Sequence, residues 1–100
     1  MDQQNQPQGQ QLQVKVNDDV LKGVFANMVQ IGHTPEEFIL DFMNLFPPAG
    51  ILTSRVVVTP QHMKRIVEAL QDNLKKYEDQ FGKIQAGQGP QAHNIGFRTE

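Results

Sequence analysis

No cysteine occurs among the 100 residues, so disulfides, thiolate nucleophiles and cysteine metal sites are excluded and a reducing compartment is permitted. Nor does charge of one sign dominate: 9 Lys plus Arg against 11 Asp plus Glu leave a net charge of −2, too weak a field to gather phosphates from a distance. No apolar run is long enough to span a bilayer, and the N-terminal "MDQQNQPQGQ" has neither the basic start nor the apolar stretch of a secretory signal. A soluble, cytoplasmic protein is expected. Ser54 is the only serine, and it lacks the glycine-flanked elbow that exposes a nucleophile. His33, His62 and His93 stand at none of the HxH, HxxxH or HExxH spacings of metal sites, and no Walker loop or GxGxxG follows a predicted strand. Enzymatic activity, a cofactor and a metal are therefore not expected.

What is present falls into three parts. Residues 1–11 are a Gln-rich polar stretch with too little apolar surface to offset the entropy of ordering it, so a disordered tail is predicted. Residues 85–100 are rich in glycine and read as a flexible C-terminal tail, or a segment that orders on a partner, with Ile95 and Phe97 as its only anchors. Residues 12–84 hold nearly all the aliphatic and aromatic side chains and form the single folded domain.

Within that domain "LQVKV" (12–16) alternates apolar and polar like a half-buried strand, and "NDD" supplies turn formers. "GVFANMVQIGHT" (23–34) is rich in β-formers. "FILDFMNLF" (38–46) is ambiguous: Thr34, Pro35 and Glu37 resemble a helix start. Period two nevertheless puts Phe38, Leu40 and Phe42 on one face and Ile39, Asp41, Met43 and Leu45 on the other, which favours a strand. "PPAG" ends it, and "SRVVVT" (54–59) makes the next strand. The last element is a helix. Thr59 is a suitable N-cap, Pro60 suits the first helical position, and Gly82 ends it. Met63, Ile66, Val67, Leu70, Leu74, Tyr77 and Phe81 share one face, while Asp72 with Lys76 and Lys75 with Asp79 are spaced as i,i+4 ion pairs on the other.

These elements predict an α+β fold, an antiparallel meander of three to four strands followed by one long amphipathic helix packed on one sheet face. A single helix covers a single face, yet the strands carry large apolar side chains on both. The uncovered face, Ile39, Met43, Leu45 and Val57 or their opposites, calls for a second copy of the chain, and a homodimer is expected. Asp41 and Arg55 fall on that same face and are expected to pair across the sheet as a structural ion pair, with a ligand clamp the lesser alternative. Asn27 reads as a satisfied amide. Arg55, His62, Lys64 and Arg65 are close in sequence near the helix N-terminus and are candidate anion or nucleic-acid contacts, but the Thr59 cap and Pro60 favour a plain structural corner.

"FAN" (25–27), "EFILDF" (37–42), "SRVVVTP" (54–60) with Lys64, and "LQDNLKKYEDQFGKI" (70–84) together resemble a small prokaryotic family catalogued as domain of unknown function 3467. The resemblance implies a bacterial or archaeal origin. It brings no catalytic residues, because no activity is assigned to the family. The functional expectation is a non-enzymatic homodimeric interaction or structural module, with a protein partner in view. The alternative is a nucleic-acid-associated regulator presenting Arg55, Lys64, Arg65, Lys75 and Lys76 to phosphates, weakened by acidic residues interleaved on the same helix face.

Overall fold

The computed structural model describes residues 11–90 and 94–99. The tail predicted over 1–11 therefore lies almost wholly outside the described residues. The elements run α1 (Asp18–Lys22), β1 (Met28–His33), β2 (Phe38–Phe46), β3 (Ala49–Val58) and α2 (Pro60–Phe81). The strands form one antiparallel sheet in the order β1-β2-β3, with β2 central. A three-stranded antiparallel sheet followed by one long helix is the arrangement the sequence predicts.

Pairing with two neighbours resolves the ambiguity of 38–46. Ile31 and Val56 flank Leu40, Val29 and Ser54 flank Phe42, and every ladder bond made there is unavailable to a helix. The strand after it starts earlier than predicted. The chain reverses at Pro47–Pro48, whose peptide bond is cis, and β3 begins at once with Ala49 opposite Phe46. A bulge between Phe42 and Met43 gives β3 one extra residue, Thr53, whose hydroxyl donates to the Phe42 carbonyl at 2.8 Å. At the other edge β1 is shorter than the predicted 23–34. Asn27 takes over where its ladder stops: Nδ2 donates to the Leu45 carbonyl at 3.0 Å, and Oδ1 accepts from the Leu45 amide at 2.8 Å.

Two expectations need correction. Residues 12–16 form no strand. They stay exposed and unladdered and lead into the short α1, because alternation stabilises a strand only when a neighbour supplies hydrogen bonds, and β1 pairs with β2 alone. The second concerns where α2 lies. Thr59 caps it by accepting from the His62 amide at 3.1 Å, Pro60 occupies the first turn, and Gly82, at φ 99°, closes it by donating to the Glu78 carbonyl at 2.8 Å. Yet no strand makes more than slight contact with this helix. Of its apolar stripe only Met63 and Ile66 are half-buried, whereas Leu70, Leu74, Tyr77 and Phe81 are 49–65% exposed. The single residue Thr59 separates β3 from α2.

The core is correspondingly small. Among the described residues only Leu40, Met43 and Asp41 are buried.

Candidate functional site

The register of β2 and β3 sets Asp41 directly opposite Arg55. Side chains directly opposite one another share a sheet face, so the two are on one side, as period two requires. Arg55 Nε donates to Asp41 Oδ1 at 2.7 Å and Nη2 donates to Oδ2 at 2.9 Å, a bidentate fork. Asp41 is 4% exposed, while the Arg55 side chain is half exposed and lies 5.6 Å from the centre of the Phe97 ring. The hydrogen bonds from Arg55 hold the Asp41 carboxyl below its ordinary pKa of 3.8, against the opposing effect of burial, and the same bonds raise Arg55 above its ordinary value. Neither group changes charge near neutral pH, and both carboxylate oxygens are occupied. The pair thus joins β2 and β3 directly across the ladder.

Asp41→Asn keeps the shape and loses the charge, so it lowers the thermal midpoint by at least about 5 °C. Because the folded-state carboxyl is lowered, the contribution of the pair is complete above pH 3.8, declines as the pH falls below it, and vanishes once the folded-state value is passed. Wild type therefore loses stability through that acid window more steeply than Asp41→Asn does, which thermal melts across pH will show; parallel curves would contradict this role.

The other expected positions separate. Met43, placed on the open patch by the sequence, is in fact the most enclosed side chain, 2% exposed. It lines an open groove of about 350 Å³ between the β2–β3 hairpin and the C-terminal segment, together with Leu45, Leu52, Ile95 and Phe97. Ile39 and Leu45 are half-buried, and Val57 is exposed. The opposite face is also partly open, with Val29, Ile31 and Val56 each 41–49% exposed around the buried Leu40. The return of residues 94–97 to the hairpin was signalled in the sequence only by Ile95 and Phe97 as isolated anchors.

The basic residues do not converge as one group. Arg55 is engaged by Asp41, and Arg65 Nη2 lies 3.4 Å from His62 Nδ1. Lys75 pairs with Asp79 at 2.7 Å and Lys76 with Asp72 at 3.4 Å, the two i,i+4 pairs expected of the solvent face. Lys64 has no ion pair among the described residues. Among those residues, too, no group of three or more His, Asp or Glu is placed to hold a metal ion, and no helix is long and apolar enough to cross a membrane.

Large apolar side chains are widely exposed as well. The stripe of α2, the Val29–Ile31–Val56 face and the side chains of Leu12, Val14, Val20, Leu21 and Phe25 are all open to solvent. A groove of about 750 Å³ opens where Phe38 meets Pro60, Met63, Lys64 and Val67 at the start of α2.

No curated protein matches the chain, and no solved structure does. One family does, over residues 1–86, and its description is "Protein of unknown function (DUF3467)". Those residues take in every helix and strand described above, and the chain belongs to the DUF3467 family.

Proposed function

We propose that this chain is a homodimeric protein-interaction or structural module without enzymatic activity. The observation that carries this reading is the exposure of its large apolar side chains. A compact chain of 11.3 kDa is expected to present about 5,700 Å² to solvent, whereas this one presents 9043 Å². Its radius of gyration is 17.5 Å, against about 13 Å for a compact domain of this length. The exposed stripe of α2 and the Val29–Ile31–Val56 face both belong to the family-matched region. Standard interfaces bury about 800 Å² per partner and obligate ones more, so a second copy covers a substantial part of this surface. The forked Asp41–Arg55 pair and the acid-paired Lys75 and Lys76 support a scaffold role over a catalytic one.

Self-association stabilises by mass action, so the thermal midpoint rises with protein concentration between about 1 and 100 µM. A midpoint independent of concentration contradicts the homodimer. Tight binding of mixed-sequence DNA or RNA that weakens steeply with added salt would replace the protein-module reading by the nucleic-acid one.

A further inference from the structure

The apolar stripe of α2 has a stricter spacing than an ordinary amphipathic helix. Met63, Val67, Leu70, Leu74, Tyr77 and Phe81 follow one another at alternating steps of four and three, and Ile84, three residues past the helix end, continues the series. That is the 3.5-residue seam of a coiled coil, with Val67, Leu74 and Phe81 at a and Met63, Leu70 and Tyr77 at d. Every one of these except Met63 is 41% exposed or more. The Tyr77 and Phe81 rings lie 4.9 Å apart.

We propose that α2 pairs antiparallel with α2 of a second copy, centred near Asp72. The inference rests on the homodimer reading and names its interface. Two features set the direction. The first is charge. One flank of the seam carries Lys64, Gln71 and Glu78, and the other carries Ile66, Asn73 and Gln80. Parallel pairing sets the two flanks against each other and matches no opposite charges. Antiparallel pairing sets like flanks together, so Lys64 meets the partner's Glu78 and Glu78 meets the partner's Lys64, with Gln71 against the partner's Gln71. Sliding the helices by one heptad breaks both ion pairs. The second feature is volume. In the centred register Met63 packs with the partner's Phe81, Val67 with the partner's Tyr77, and Leu70 with the partner's Leu74, so smaller side chains meet larger ones at the ends. Parallel pairing instead stacks Phe81 on Phe81 and Tyr77 on Tyr77. The same register brings the partner's Phe81 to the first turns of α2, where the groove beside Phe38 and Met63 is open.

Within one chain Lys64 and Glu78 are about 21 Å apart along the helix, so any coupling between them must run between chains. Lys64→Glu and Glu78→Lys each raise the dimer dissociation constant, ~tenfold for Lys64→Glu, and the double exchange restores it in sedimentation at low salt. Glu78 also accepts from the Ile84 amide at 3.0 Å, so its single variant can loosen the helix end as well. Cysteine cross-linking supplies an independent readout, because the chain has no thiol of its own. Asn73→Cys cross-links the dimer readily, whereas Gln80→Cys does not, its copies lying about 24 Å apart along the axis. A dimer in which both positions or neither cross-link, or in which the charge exchange fails to recover affinity, overturns the antiparallel pairing and leaves the homodimer standing. A chain that stays monomeric removes both.

Discussion

Replacing Leu74 with aspartate yields a monomer whose long helix is largely unwound. Leu74 is 50% exposed in the single chain and lies mid-helix on the apolar stripe. Covering such a side chain stabilises by about 1.5–3 kcal/mol, and a two-fold interface uses it twice. A carboxylate at the same place adds a desolvation cost in each copy. The dissociation constant then rises by three orders of magnitude or more, roughly, at 1.4 kcal/mol per decade. The helix cannot persist on local forces alone. No strand holds it, and its two i,i+4 ion pairs add only about 0.3–0.5 kcal/mol each. Most of a helix's stability in a protein comes from packing its apolar face rather than from local propensity. Far-ultraviolet circular dichroism and sedimentation at the same concentration should thus report loss of helix and of mass together. Unchanged values for both would mean that the stripe faces solvent in the working protein.

Met43→Ala should remove about 2–5 kcal/mol of stability, the largest loss of any single truncation in the sheet. Met43 is 2% exposed, and Leu40, at 7%, is the only other buried apolar residue among those described. Methionine-to-alanine changes in enclosed sites cost about 2–5 kcal/mol, depending on how far the site collapses. Here the surroundings are a bulged pair of strands and a returning terminal segment, with Leu52 opposite Met43 and Ile95 and Phe97 beside it. A small domain has about 5–15 kcal/mol in total, so one such loss exhausts much of it. Urea titration should show a lower midpoint with an unchanged slope, the mark of a stability change without a change of fold. A loss under about 1 kcal/mol would show that water reaches Met43 through the open groove.

The sequence was most informative where local chemistry decides. Thr59, Pro60 and Gly82 bracket α2 because capping and left-handed backbone are properties of those residues themselves. Lys75–Asp79 and Lys76–Asp72 follow from helical spacing, and Asp41–Arg55 follows from strand parity. The failures arise where a distant neighbour decides. "LQVKV" has the pattern of a strand but no strand beside it, while "FILDFMNLF" is a strand because two neighbours pair with it. The helix was expected to shield the sheet, since its stripe matches that role in composition. Most of that stripe stays exposed, and hydrophobic pattern alone does not say which neighbour a stripe will meet. The enclosure of Met43 also escaped detection, because the segment that reaches its groove lies about fifty residues away and shows only two apolar side chains.

All of this depends on one physical statement: the isolated chain leaves more apolar surface in water than a folded protein tolerates. Molar mass measured by multi-angle light scattering during gel filtration, at loadings from about 1 to 100 µM, tests it most directly. The expected result is a species of twice 11.3 kDa that persists to the low-micromolar range. A monodisperse, fully folded 11.3 kDa species at every loading would contradict it.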